Sequence, residues 1–358
     1  MMLLKNIGKE LKIVYTPLHG TGITLVPKIL KELGFSNLYI VNEQEKPDGN
    51  FPTVNYPNPE EPKAFKLALD LAKKVDADVV LATDPDADRL GVYSKDVKTG
   101  DYKSFTGNMS GLLIAEYILS QKKEKNLLSK KGALIKTIVS SNMAVDMAKE
   151  YNIKLVEVLT GFKYIGEQIK LFEENKSYEF IFGFEESYGC LMGTYARDKD
   201  AIAAVMAICE VACYAKSVGK TLYDIMLDMY NKYGYYKEDL FSFTLKGKDG
   251  SLKINHIMNK LRETPLINIS NNKVLEVHDY LVGKKINVLN NNIEKLDMPA
   301  SNVLYYKLEN DSWFCIRPSG TEPKIKIYLG VKRNSIEESS NTLLEIKQQL
   351  VNKLESML

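Results

Sequence analysis

The segment Asp78-Val79-Val80-Leu81-Ala82 is apolar at every position after the first, and it opens directly onto Thr83-Asp84-Pro85-Asp86-Ala87-Asp88-Arg89. A short apolar run without alternation fits a strand covered on both faces, the setting of a parallel sheet with helices above and below it. Its neighbours repeat the theme. Residues 12–16 read as a strand stopped by Pro17 and the glycines of His19-Gly20-Thr21-Gly22, 23–33 as a helix closed by Gly34, and 37–41 as another strand. Residues 46–59 are a loop rich in Pro, Gly and Asn, and 60–74 show a helical apolar face through Phe65, Leu67, Ala68, Leu71 and Ala72. The β-α-β-α-β order predicts parallel strands joined by crossover helices.

A second such unit runs from about Gly132 to Gly234, with strands at 133–139, 154–159 and 180–182 and helices at 144–151, 162–174, 201–215 and 222–233. Beyond Tyr235 the strand-like segments (241–245, 274–277, 303–308, 313–316, 325–329) stand next to one another, with helices at 251–263 and 335–357. That order is α+β rather than α/β. The expected fold class is therefore two α/β domains with mostly parallel sheets, 1–127 and 128–234, followed by a C-terminal α+β domain, 235–358.

Charge and cysteine usage narrow the function. The 358 residues carry 48 Lys+Arg against 46 Asp+Glu, a formal charge of +2, which provides no electrostatic case for nucleic acid or a membrane surface as partner. The apolar stretch 201–215, interrupted by Glu210, falls short of the ~20 residues that span a bilayer, and the run at Met1-Met2-Leu3-Leu4 is too short for a signal peptide. Cys190, Cys209, Cys213 and Cys315 have no CxxC spacing, so they read as reduced thiols of a cytoplasmic protein.

Four loops carry the chemistry. Asp84, Asp86 and Asp88 present clustered hard oxygens at the end of a buried strand, as Mg²⁺ requires, and their mutual repulsion favours a cation there. An EF-hand is excluded, because position six would be Arg89 and position twelve Lys95. Arg317-Pro318-Ser319-Gly320-Thr321-Glu322-Pro323-Lys324 combines a guanidinium, hydroxyls, a glycine N–H and an ammonium in a phosphate cradle stiffened by prolines. Gly183-Phe184-Glu185-Glu186-Ser187-Tyr188-Gly189 offers acceptors and a hydroxyl to vicinal sugar hydroxyls. Arg197-Asp198-Lys199-Asp200 opens the apolar helix, with Asp200 as an N-cap or first-turn charge and with Lys199 and Arg197 as crevice residues.

The remaining suspects are bland. His19 lies on a strand-to-helix turn and fits either a phosphate contact or a turn hydrogen bond. His256 and His278 lack ligand-like companions, Cys209 and Cys213 fit a helix core, and Trp313 fits either core or rim.

Taken in order, these segments resemble the α-D-phosphohexomutase family, its phosphoglucomutase/phosphomannomutase branch most closely. Asp84-Pro85-Asp86-Ala87-Asp88-Arg89 is similar to the magnesium loop, usually richer in glycine. Gly183-Phe184-Glu185-Glu186-Ser187 is similar to the sugar loop in its glucose-favouring form, and Arg317 to Lys324 to the phosphate loop. Thr160-Gly161-Phe162-Lys163 and Arg197-Asp198-Lys199-Asp200 match substrate-facing segments.

The resemblance implies a four-domain enzyme in which this chain corresponds to the second, third and fourth domains. It implies Mg²⁺ on Asp84, Asp86 and Asp88, and Arg89 and Lys199 as catalytic groups. Lys163, Glu185, Ser187, Arg197, Arg317, Ser319, Gly320, Thr321 and Lys324 are the implied substrate contacts. A hexose 1,6-bisphosphate is the implied intermediate between glucose 1-phosphate and glucose 6-phosphate. The family's first domain supplies a phosphoserine in a Thr-x-Ser-His-Asn-Pro-like segment. The histidines here follow Leu18, Asn255 and Val277, so no Ser-His pair occurs. The chain alone is accordingly expected to be inactive, with a separately encoded or missing phosphoserine domain as its partner, or self-association through an uncovered face. The alternatives are a non-catalytic sugar-phosphate-binding fragment, mannose or pentose phosphate specificity, and a haloacid-dehalogenase-type phosphatase with Asp84 as nucleophile and Asp86 as acid/base.

Overall fold

The apolar run at 79–82 becomes strand β3 (Val79–Thr83), buried at all five positions. The computed structural model containing it describes residues 7–245, 249–319 and 323–357. The chain divides into two units, Met1–Lys232 and Tyr233–Leu358. In the first unit β1 (Ile13–Thr16), α1 (Gly22–Leu33), β2 (Leu38–Ile40), α2 (Asn42–Glu45) and α3 (Lys66–Val75) precede β3, and β4 (Leu90–Lys95) and β5 (Tyr102–Phe105) follow it. The sheet order is β2-β1-β3-β4-β5. The first three strands are parallel, with Ile13 opposite both Leu38 and Val79. Gly34 caps α1 at φ 94°, a conformation glycine adopts without strain.

The three strands expected from the sequence are parallel, and the sheet adds two strands that its pattern does not announce, β4 and β5, which run antiparallel. Residues 84–89 are far fewer than the dozen or so a parallel crossover needs, so the chain can only double back beside β3. The helix expected over 60–74 is a 3₁₀ turn at Pro62–Phe65 followed by α3.

A second sheet in the same unit is built from β6 (Gly132–Thr137), β7 (Lys154–Val158), β8 (Glu179–Phe184) and β9 (Cys190–Met192), in the order β7-β6-β8-β9 with only β9 antiparallel. Its helices are α4 (Gly107–Glu124), α5 (Met143–Glu150), α6 (Phe162–Asn175), α7 (Ala201–Ser217) and α8 (Leu222–Tyr233). Helix α7 has little amphipathic character because it is enclosed. It packs on α1, α4, β3 and β4, burying Val205, Ile208, Cys209, Val211 and Cys213. The two cysteines are thus core residues. Among the described residues no single helix is long and apolar enough to cross a membrane.

The second unit is an antiparallel sheet with helices on one face. Its strands are β10 (Tyr235–Thr244), β11 (Asn268–Ile269), β12 (Asn272–Asp279), β13 (Lys284–Asn287), β14 (Ile293–Lys295), β15 (Leu304–Leu308), β16 (Trp313–Pro318) and β17 (Lys324–Arg333). The order is β10-β17-β16-β15-β12-β13-β14, with β11 paired to β12. From α9 (Gly250–Glu263) and α10 (Ile336–Glu355), residues Ile257, Met258, Leu261, Ile346 and Leu350 join Phe314, Ile316, Ile327 and Leu329 of the sheet in one core.

Trp313 is a core residue, 2% exposed. Its indole lies across Gly330, where an added Cβ would stand 2.4 Å from Nε1. Gly330→Ala should therefore cost about 1–3 kcal/mol by overpacking. Urea unfolding of the variant should show a lower midpoint and altered indole fluorescence. Wild-type values for both would contradict this packing.

Candidate active site

Three carboxylates crowd the carboxyl end of β3, and the loop that carries them is held from inside and outside. Asp84 Oδ1 accepts the backbone N–H of Asp88 and of Arg89, each at 2.9 Å. Thr21 donates its N–H (2.8 Å) and its hydroxyl (3.0 Å) to Pro85 O. The Ala201 N–H, the first of α7, donates to Ala87 O at 3.1 Å. Gly20 lets the β1–α1 turn approach so closely that a Cβ there would lie 2.3 Å from Pro85 Cα. Ala87 takes φ 58°, a left-handed conformation in which glycine is normally preferred.

One oxygen from each of Asp84, Asp86 and Asp88 lies within 4.8 Å of the others. Burial, reinforced by Asp88 and Asp86 and opposed by the Arg89 N–H bond, pushes the Asp84 carboxyl up to about 7. Asp88 Oδ1 is buried and accepts no hydrogen bond; Arg89 Nε stands 3.6 Å away. Clustered hard oxygens, one without a hydrogen-bond donor and one pushed toward protonation, fit a divalent cation such as Mg²⁺.

Two cations flank the trio. Arg89 donates through Nη1 to Glu60 (2.9 Å), and its Nε is 3.7 Å from Asp84. Lys199 Nζ lies 3.0 Å from Asp88 Oδ2 and 2.9 Å from Asp198 Oδ1. Burial pulls the Lys199 ammonium down, but the bonds to Asp198 and Asp88 outweigh it and the net shift is upward. The Lys199 stem runs over Gly189, where a Cβ would meet Cδ at 2.1 Å. The lysine thus joins the acid loop to the loop after β8.

In that second loop Glu185 is 6% exposed, and its Oε1 accepts the Gly161 N–H at 2.9 Å. Burial raises its carboxyl above the usual range against the opposing effects of Gly161 and Lys199. The Ser187 hydroxyl lies 3.5 Å from Glu185 Oε2. Leu90 N–H donates to Tyr188 O at 3.0 Å, tying the loop to β4.

Other candidate residues are held more locally. Asp200 caps α7 by accepting from Ile202 and Ala203 N–H. Arg197 is engaged by Glu173 and by the carbonyls of Thr194 and Ala196. The Lys163 ammonium lies 4.8 Å from the Tyr164 ring centroid. His19 reaches across to the loop 46–59, its ring nitrogens lying 3.2 Å from Lys46 O and 2.8 Å from Thr53 Oγ1. Sequence reasoning missed Glu60, Gly161 and Thr21 as partners. Gly20 and Gly22 on either side of Thr21 hint at a close approach, and Gly161 lies in a segment matched to the substrate side without any sign of its bond to Glu185, whereas Glu60 carries no local signal.

In the second unit Arg317 is the last residue but one of β16 and Lys324 begins β17, with Ser319 N–H donating to Lys324 O at 2.8 Å. These residues stand where two antiparallel strands approach their connection. Gly320 and Thr321 lie outside the described residues.

The fold and the first unit's loops define an α/β protein with an acid trio and a buried glutamate loop joined by one lysine. The family model "Phosphoglucomutase/phosphomannomutase, alpha/beta/alpha domain II" matches residues 3–100, and that for domain III matches 106–233. The phosphoglucomutase of Staphylococcus aureus (strain USA300) is 40% identical over 323 residues, covering 90% of this chain and 57% of that protein. The chain therefore spans little more than half the length of that relative. Among solved structures, pp63/parafusin (phosphoglucomutase) of Paramecium in its open form aligns with TM-score 0.68 at 20% identity, over 99% of this chain and 60% of the other. N-acetylphosphoglucosamine mutase of Aspergillus fumigatus, in complex with GlcNAc-6P and magnesium, aligns at 0.54 and 14% identity, over 97% and 64%. A further structure of that enzyme holds glucose 1,6-bisphosphate. The chain belongs to the phosphoglucomutase/phosphomannomutase family.

The raised Asp84 carboxyl sets a pH dependence. Its folded value, about 7, lies above its ordinary 3.8, so its stabilising contribution is complete below about pH 4 and is lost as pH rises through 7. A divalent cation held by the trio would replace that proton, so the Mg²⁺-induced rise in Tm should be larger at pH 8 than at pH 5 and absent in Asp86→Asn. An equal Mg²⁺ effect at both pH values, or one that survives the substitution, would refute the assignment.

Proposed function

We propose that this chain carries the magnesium- and sugar-binding part of a phosphoglucomutase-type reaction. A phosphoryl group moves between the 1- and 6-oxygens of glucose by way of a hexose 1,6-bisphosphate. The observation that carries the reading is the Lys199 ammonium, 3.0 Å from Asp88 and packed along the loop of Glu185, so that a metal-holding trio and a sugar-type acceptor share one unit. The 40% identity to a phosphoglucomutase supports it, as do magnesium and glucose 1,6-bisphosphate in structures of the Aspergillus enzyme.

Asp84, Asp86 and Asp88 would hold Mg²⁺, which when bound supplies positive charge to the loosening phosphorus–oxygen bond. Arg89 neutralises the transferring phosphoryl group beside the trio. Glu185 accepts from vicinal sugar hydroxyls, with Ser187 as a further partner. Lys199 passes a proton to or from the sugar oxygen, and Lys163 and Arg197 are outer contacts. In the second unit Arg317, Ser319 and Lys324 are the proposed phosphate contacts, and Gly320 and Thr321 of the same sequence segment are proposed with them. The four cysteines are buried and none is in a disulfide, which supports a reducing cytoplasm.

In this reading the 358-residue chain by itself binds sugar phosphate without turning it over, because the family's Ser-His segment has no counterpart in its sequence. Its partner is the phosphoserine-bearing segment. Titration calorimetry with glucose 6-phosphate should give a measurable affinity, weakened about tenfold or more by Glu185→Gln. Identical traces for both proteins would overturn the role of Glu185. Steady conversion of glucose 1-phosphate by the chain alone, with Mg²⁺ and bisphosphate, would overturn the expected inactivity.

A further inference from the structure

Two adjacent glutamates follow β8, and they take different partners. Glu185 accepts from Gly161 N–H at 2.9 Å, whereas Glu186 Oε2 accepts from the Thr137 hydroxyl at 3.0 Å. Thr137 ends β6 and has no exposed surface, so it reaches a ligand only through another residue. Its single hydroxyl proton is committed to Glu186. The 2.9 Å contact between the Thr137 and Ser140 hydroxyls must therefore be donated by Ser140.

The turn bearing these hydroxyls is locked by a buried charge. Lys136 is 0% exposed. Its ammonium donates to Thr137 O and Ser140 O, both at 3.2 Å, and pairs with Glu157 Oε1 at 2.8 Å. An ammonium has three protons, and three acceptors stand around this one. A fully buried lysine is retained at a strand end only where such partners offset its lost hydration. Helix α4 backs the loop from the other side: a Cβ on Gly107 would stand 2.3 Å from Glu186 O. The Glu186 main chain thus has a wall on one side, and its side chain has an anchor.

We propose that Glu186 is a positioning residue, tethered through Thr137 to the turn that Lys136 clamps, and that this tether sets the place of Glu185 and Ser187 at the sugar. The proposal rests on the reading of Glu185 as the sugar-hydroxyl acceptor. It assigns Glu186 no direct contact with the sugar.

The test uses the full 358-residue chain and two measurements, calorimetric affinity for glucose 6-phosphate and hydrogen exchange of the Gly161 amide. Thr137→Val and Glu186→Ala should each weaken binding about tenfold, with the double variant no weaker than either single one. Both should speed Gly161 exchange, because the Glu185 acceptor is no longer held in place. Glu186→Gln keeps an acceptor oxygen for Thr137 and should bind within about twofold of wild type. Glu186 is only partly buried, so its alanine variant carries the test if the buried valine prevents folding. Wild-type behaviour of Thr137→Val or of Glu186→Ala in both measurements overturns the proposal. So does a Glu186→Gln variant as weak as Glu186→Ala, which would mark a charged sugar contact. If the wild-type chain binds no sugar phosphate, the mutase reading fails, and Gly161 exchange alone still decides the tether.

Discussion

Three like charges confined at the end of a buried strand are the constraint around which the first unit is arranged. Carboxylates within 4.8 Å of one another repel strongly in partial burial, and the loop stays closed only because donors converge on it. Asp84 takes two N–H groups of its own loop, Pro85 takes two donors from Thr21, and Ala87 takes the first N–H of α7. Each donor imposes a demand of its own. Thr21 can reach Pro85 only because Gly20 has no side chain, and α7 can present its N-terminus only by being apolar on nearly every side. Glycines, an enclosed helix and an acidic turn that look unrelated along the chain answer one electrostatic problem.

Much of this was legible because it is local. The unalternating run at 79–82, the terminal glycine of α1 and the aspartate before α7 each signal their role within a few residues, and the structure follows them. The β4–β5 hairpin was less visible, since its pairing depends on how short the acid loop is rather than on any pattern inside 90–105. Lys136 was invisible for a related reason: a lysine in a strand reads as solvent-facing, and its acceptors, Glu157 among them, come together only when β6 and β7 pair. Trp313 was undecidable because Gly330, on which it lies, belongs to another strand. The segment 317–324 was read from its residue types and from the family resemblance, and the structure describes the two strands beside it and Ser319, with residues 320–322 outside the described ones.

The site also shows how neighbouring residues of one type divide labour by environment. Asp84 is turned inward and pushed toward protonation, whereas Asp88 shares Lys199 with Asp198. Of the two glutamates, one accepts from a main-chain N–H in the site and the other from a hydroxyl with no surface of its own. Residue identity alone could not separate these roles. Depth and donor supply do.

Helix α7 has a mechanical consequence. Its first N–H holds Ala87, Lys199 just before it grips Asp88, and near its far end Lys216 pairs with Asp78 at the opposite end of β3. A strut pinned at both ends of one strand and sealed between two layers cannot slide or tilt without opening a dry interface. The acid loop and the far end of β3 are therefore coupled through one rod, so that a load on either end is felt at the other.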